Sequence, residues 1–476
     1  MRLRRTLISL PIATAIVLLT ATAAAGNVAT TQVSNDPFTD AQAQHQTEVE
    51  PDTFQFGNTI VAAFQTGRVS GGGSSDIGWA TSTNGGATWT HGFLPGITAN
   101  SSPPGPYGQV SDPAVAFDAQ DNVWLISSLG LGASNDVLTS RSTDGGLTWS
   151  NPIVTATGDL DKNWIVCDNT CSSPFFGNCY TEYDIVSGNA IRMKTSTNGG
   201  VTWGAALQPS GGASGLGGQP VVRPNGTVIV PYRAASAGAI RSFRSIDGGA
   251  SWRSTVLVSN VSHHTVAGGL RESPLPSAEI DSAGTVYVVW ADCRFRSGCP
   301  RNDIVMAKST SETTWAAPTR VPIDATTSTV EHFTPGIGVD KSTSGNSARI
   351  GLTYYFYPNS SCTASTCQLN VGFISSTNGG SSWSAPTQIA GPMTLSWLPN
   401  TSQGRMFGDY ISTSVLPGSV AYCVIPVATA PTGSTFHVPM VVPTGGMAIS
   451  GGALNAQKWT GPEPPGQAEE PPQPHR

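Results

Sequence analysis

The sequence predicts an all-β fold, a seven-bladed β-propeller, on three observations. An eight-residue turn recurs along the chain, a strand-like run leads into each copy, and two further strand-like runs precede most of these hairpins. The composition agrees. Of 476 residues, 54 are glycine and 35 proline, 11% are charged and 38% hydrophobic. That mixture suits short strands joined by tight turns and is too apolar for a disordered chain.

The turn reads Ser82-Thr-Asn-Gly-Gly-Ala-Thr-Trp89 at its first occurrence. It returns at Ser142 to Trp149, Ser196 to Trp203, Ser245 to Trp252 and Ser376 to Trp383, with a worn copy at Lys308 to Trp315. The Asp or Asn side chain accepts from backbone N–H groups to close an Asx-type turn. The two glycines after it supply positive φ, as hairpin turns require. The tryptophan starts the return strand and packs across the hairpin. Strand-like runs at 76–80, 137–141, 191–194, 240–244, 304–307 and 369–374 lead into the copies. Runs at 276–281 and 285–290, 113–118 and 122–127, and 220–223 and 227–232 supply the two earlier strands of a four-stranded unit.

Copies lie 60, 54, 49, 63 and 68 residues apart. Residues 48–455 therefore form the propeller, with seven blades expected and six as the alternative. Runs at 409–415, 419–426 and 435–442 supply a last blade without the turn. Residues 26–47 offer a strand to close the ring. Residues 456–476, rich in proline and glutamate, read as a disordered tail.

Residues 1–25 read as a signal peptide. Arg2, Arg4 and Arg5 precede an apolar run from Leu7 to Leu19 and a small-residue cleavage site at Ala23-Ala24-Ala25. Arg4-Arg5 also loosely fits a twin-arginine signal. The run is too short for a membrane anchor, and no later segment is apolar enough to span one. The mature chain keeps 21 basic and 30 acidic residues, a net of about −9. That speaks against nucleic acid as a partner. A secreted, extracellular monomer is expected. The eight cysteines fit an oxidising compartment, with disulfides Cys293–Cys299, Cys362–Cys367 and Cys171–Cys179 favoured and zinc the rival reading.

These residues resemble the BNR/Asp-box repeats of secreted bacterial sialidase-like propellers. The resemblance implies a propeller with Asp boxes on its outer edge, and a glycan or polysaccharide as ligand class. In that family three arginines hold the substrate carboxylate, a tyrosine activated by a glutamate is the nucleophile, and an aspartate is the acid/base. The family's Arg-Ile-Pro motif is absent here. The nearest tripeptide, Arg320-Val321-Pro322, follows the fifth box.

In a propeller, the residues just before each innermost strand line one mouth of the central tunnel. This chain places Glu50 and Asp52 there in blade one, Asp112 in blade two, Asp161 and Lys162 in blade three and Gln219 in blade four. Blade five adds Arg271 and Glu272, blade six Glu331 and His332, and blade seven Arg405, Asp409 and Tyr410. Strand ends contribute Asp292 and Arg294 beside Cys293. Glu272 and Asp409 are the acid/base candidates, since paired carboxyl groups suit proton transfer. Tyr410 is a nucleophile only if a glutamate touches it. Arg271, Arg294, Asp292, Arg405, Glu331, His332, Glu50 and Asp52 are substrate-binding candidates. His263-His264 and the aromatic run Tyr354 to Tyr357 read as structural. No cofactor is expected, although the acidic blade starts would suit calcium. Two functions stay open, a glycoside hydrolase of undetermined sugar specificity and a non-catalytic carbohydrate- or surface-binding propeller.

Overall fold

The computed structural model describes residues 27–235 and 238–466. The predicted signal peptide and residues 467–476 lie outside them. Among the described residues the regular structure is β-strand, broken only by three single-turn 3-10 segments. None of these helices is long and apolar enough to cross a membrane.

The strands form antiparallel meanders in chain order. The first runs Glu48–Phe56, Thr59–Arg68, Ser74–Ser82 and Thr90–Phe93. The sixth runs Glu331–Val339, Ile350–Tyr357, Gln368–Ser376 and Thr387–Thr394. Between them, meanders open on Gln109–Asp118, Leu160–Cys167, Val221–Val222 and Ser277–Ile280. After the sixth, Ser414–Leu416, Val420–Tyr422 and Met447–Ala448 pair with one another. Each of these opening strands touches the next, and Ser414–Leu416 touches Glu48–Phe56.

Packing explains why the strands carry apolar residues on both faces. Val61, Ala63, Ile77 and Trp79 pack with Val115, Phe117 and Trp124 of the second meander. The alternate residues Ile60, Ala62, Phe64 and Ala80 pack with Tyr422, Val424 and Met440 near the C-terminus. A sheet sandwiched between two neighbours buries both sides of its pleat. Each fully buried Val, Leu, Ile or Phe contributes roughly 1.5–3 kcal/mol.

The repeated turns share one hydrogen-bond pattern. At the first, Asn84 Oδ1 accepts from Thr88 N at 2.9 Å, and Ser82 Oγ accepts from Gly86 N at 2.8 Å. Asp144, Asn198, Asp247 and Asn378 repeat the first bond at 2.9–3.0 Å. Gly86 has φ +83°, and a Cβ there would lie 2.1 Å from the Tyr422 ring. Gly146 meets Val61 and Thr81 in the same way, and Gly249 meets Thr195 and Tyr180. Each turn thus docks on the preceding meander, and the first docks on Tyr422.

A second repeat lies at the opening strands. The register slips between Val49 and Asp52, Ser111 and Ala114, Asp161 and Trp164, and Phe333 and Gly336. At each slip a non-glycine residue takes positive φ: Glu50 (55°), Asp112 (47°), Lys162 (50°) and Thr334 (43°). Proline follows three of them, at Pro51, Pro113 and Pro335. Proline lacks the N–H that a bulge leaves unpaired, and a bulge re-aims the side chain at its apex.

The N-terminal strand Thr30–Gln32 pairs with Met440–Pro443. The segment expected as a tail is held in its first part, since Gln457–Lys458 adds a strand beside Thr319–Arg320. Glu463 then accepts from Asn260 N at 3.2 Å.

Disulfides join Cys293 to Cys299 and Cys362 to Cys367, each with Cα atoms 4.9 Å apart. The expected Cys171–Cys179 bridge is corrected to Cys167–Cys179. Cys167 and Cys179 face each other across the first hairpin of the third meander. Cys171 is left free and exposed in the connecting loop, and Cys423 is free and buried.

Candidate functional site

The bulges bring charge together at the starts of the opening strands. Lys162 Nζ lies 2.5 Å from Asp409 Oδ2, 3.3 Å from Asp112 Oδ1 and 3.7 Å from Glu50 Oε1. Arg271 forks onto Asp409, with Nε to Oδ1 at 2.8 Å and Nη2 to Oδ2 at 2.5 Å. Glu50 accepts from Asp409 N at 2.9 Å and from the Gln65 amide. Gly408 makes room for this approach, since a Cβ there would sit 2.8 Å from Glu50. All of these groups are buried.

The electrostatics follow from that burial. Desolvation alone would raise the Asp409 pKa, but Arg271 and Lys162 outweigh it and hold the carboxyl well below its usual range. Desolvation would likewise lower Lys162, and Asp112, Asp409 and Glu50 outweigh it. Asp409 is therefore a fixed anion that braces two cations, and it is a poor proton donor. Tyr410 gives its only hydroxyl proton to Pro113 O at 3.0 Å, and burial pushes its pKa well up. That geometry leaves no activated tyrosine at this position.

A second group sits beside the first. Glu331 Oε1 lies 2.6 Å from His264 Nδ1, and the Asn302 backbone and side-chain nitrogens donate to it at 3.3 Å. His263 Nε2 lies 2.9 Å from Glu272 Oε2. Both glutamate side chains are buried, whereas the His264 side chain is 32% exposed. Burial raises the Glu331 pKa. His264 and Asn302 partly offset this, and Glu272 adds to it. Tyr357, opposite Glu331 on the neighbouring strand, has a pKa raised by burial and by both glutamates. Its buried hydroxyl has no hydrogen-bond partner among the described residues.

The remaining candidates are dispersed. Arg294 forks onto Asp292 at 2.9 and 2.7 Å, and Trp290 Nε1 donates to Asp292 at 3.0 Å. Arg294 also reaches Asn260 O and Glu463, so this pair ties strand ends to the C-terminal segment. The Arg405 guanidinium donates to Ser396 O at 3.4 Å and to Leu398 O. His332 packs against the Tyr354 and Phe356 rings, and its pKa is lowered to about 4, chiefly by burial. Asp52 does not join Glu50. The bulge turns it the other way, and its Oδ2 accepts from Val115 N at 2.7 Å.

Asp303, Asp324 and His332 offer ligand atoms within 4.8 Å of one another, a group able to coordinate a divalent cation such as calcium. Two arginines already engage both carboxylates. Arg296 and Arg320 reach Asp303 Oδ1 at 2.7 and 2.8 Å, and Asp324 Oδ1 at 3.1 and 2.5 Å. The donor set therefore fits guanidinium better than a dication.

Sequence reasoning missed His263, His264, Asn302 and Tyr357. The histidine pair and the aromatic run were visible, but strand register sets Tyr357 opposite Glu331, and the loop after Val256–Asn260 brings His263 and His264 to Glu272 and Glu331. It also missed the proline that marks three of the four bulges, although Glu50-Pro51, Asp112-Pro113 and Thr334-Pro335 were legible.

No family model and no curated protein matches the chain. Solved structures resemble it remotely. A protein of unknown function from Dyadobacter fermentans DSM 18053 is 17% identical with a TM-score of 0.46, over 73% of this chain and 99% of that one. The NanB sialidase from Streptococcus pneumoniae is 12% identical with a TM-score of 0.43, over 87% and 70%. The Trypanosoma rangeli sialidase in complex with sialic acid is 12% identical with a TM-score of 0.48, over 88% of this chain and 59% of that one.

Proposed function

We propose that this chain is a secreted, extracellular, monomeric seven-bladed β-propeller with Asp-box turns that acts on glycans as a glycoside hydrolase. The cyclic contact of the opening strands supports the ring, as does the docking of the first turn on Tyr422. The disulfides support export.

One observation carries the catalytic reading. Two buried glutamates, Glu331 and Glu272, open neighbouring blades, each beside a histidine, and each raises the pKa of the same tyrosine. Glu331, whose pKa burial raises, is the general acid. Glu272 is the carboxylate that assists attack on the sugar carbon. Asp409 moves from proton donor to brace. The substrate is an uncharged sugar, because the three candidate arginines are engaged: Arg271 by Asp409, Arg294 by Asp292 and Arg405 by backbone carbonyls. Bidentate recognition of a substrate carboxylate needs a free guanidinium.

Turnover of a panel of aryl glycosides, a sialoside among them, tests this reading. Hydrolysis of an uncharged glycoside that Glu331→Gln abolishes supports it. The burial of Glu331 favours a second reading, a non-catalytic glycan-binding propeller. Binding on a glycan array with no turnover of the panel would select that reading.

A further inference from the structure

A cavity of about 560 Å³ runs along the opening strands beyond the ion cluster, toward their C-terminal ends. Asp52 and Phe54, Val115, Trp164, Gln219, Glu279 and Lys341 line it, so each of the first six meanders contributes. Its volume falls in the range of small-molecule sites. It is separate from the Glu272–Glu331 group, none of whose residues lines it.

Its charge is unbalanced. Asp52, Glu279 and Asp281 line it against one cation, Lys341. Asp281 is saturated by Thr285 N, Gly345 N and the Tyr287 hydroxyl at 2.8–3.1 Å. Asp52 is 3% exposed, accepts from neutral donors such as Val115 N at 2.7 Å, and has no cationic partner among the described residues. Burial, with Glu279 adding to it, pushes its pKa up to about 7. Lys341 shows what the walls accept. Its ammonium lies 3.5 Å from Glu279 Oε2 and 4.5 Å from the centroid of the Phe54 ring. A carboxylate and an aromatic face together form an ammonium seat.

We propose that the axial cavity binds a small organic ammonium compound, its cation between Asp52 and Glu279 and its body against Phe54 and Trp164. The ligand supplies the charge that Asp52 lacks, and it competes with Lys341 for Glu279 and Phe54. An amino sugar and a linear polyamine share this chemistry.

Calorimetric titration of the mature chain with glucosamine, spermidine and N-acetylglucosamine, at matched ionic strength, tests the proposal. Glucosamine or spermidine binds, and which of the two does so identifies the source. N-acetylglucosamine, which lacks the charge, binds at least about tenfold more weakly than glucosamine if the amino sugar is the ligand, and not at all if the polyamine is. Asp52→Asn weakens the ammonium probe by about tenfold. Lys341→Ala tightens it, a gain that a misfolded variant does not produce. Failure of both ammonium probes, binding of N-acetylglucosamine as tight as that of the better ammonium probe, or a Lys341→Ala variant that binds no tighter than wild type would overturn the proposal.

Discussion

Arg271 and Asp409, 138 residues apart, meet through two parallel hydrogen bonds of 2.8 and 2.5 Å with almost no solvent contact. Lys162 closes on the same carboxylate from the third meander. One aspartate thus ties together three parts of the chain remote in sequence. The bonds are charge-assisted and bidentate, which makes them geometrically demanding.

Asp409→Asn leaves two buried cations without their shared anion. Breaking one member of such a network costs about 3–5 kcal/mol. Urea unfolding should show that loss as a lower midpoint with an unchanged slope. A variant as stable as wild type would mean that the network is solvated and contributes little.

Acidity should stabilise the fold. Burial raises Asp36 to about 6, Asp52 to about 7, and Glu48 and Asp76 to about 8. A folded-state pKa above the unfolded value means the native chain holds protons that the unfolded chain releases. Stability is then greatest near pH 4 to 5 and falls as pH rises toward 8. His332, lowered to about 4, opposes this as a single group, because stability it contributes is lost as pH falls below its unfolded value. Asp409, lowered, keeps its contribution throughout this window. Scanning calorimetry should find Tm about 5–10 °C higher at pH 5 than at pH 8. The opposite slope would place these carboxyls in contact with water or cations.

Gly86 and Gly85 separate backbone from packing effects. Both have positive φ, but a Cβ on Gly86 meets the Tyr422 ring at 2.1 Å, whereas one on Gly85 meets nothing nearer than 3.8 Å. Gly85→Ala should cost about 1 kcal/mol and Gly86→Ala about 2–4 kcal/mol. Equal costs would remove the docking of the first turn on Tyr422.

Thiol labelling should distinguish the two free cysteines. Cys171 is exposed and Cys423 buried. Iodoacetamide without reductant should mark Cys171 in the native protein and Cys423 only after unfolding. Labelling of Cys167 would restore the pairing expected from proximity in sequence.

The all-β fold was legible because its signals are local. The turn at Ser82 to Trp89 and its copies fix hairpins within eight residues, and a short strand-like run leads into each. The charge cluster was half legible. Glu50, Asp112, Lys162, Arg271 and Asp409 could be placed at blade starts by repeat position alone. Their partnership could not, because it depends on bulges that turn Glu50 toward Lys162 and Asp52 away from it. Cys167 lost to Cys171 for a related reason. Strand register, not nearness in sequence, decides which sulfur faces Cys179.

The rate of hydrolysis of uncharged aryl glycosides by wild type, Glu331→Gln and Glu272→Gln tests the catalytic role of this glutamate pair. Loss of a positioned acid or base costs about 10²–10⁴-fold in rate. Wild type should show measurable turnover, and each variant a loss of that size with a Tm within a few degrees of wild type. Full activity in Glu331→Gln, or hydrolysis of the sialoside alone, would contradict it.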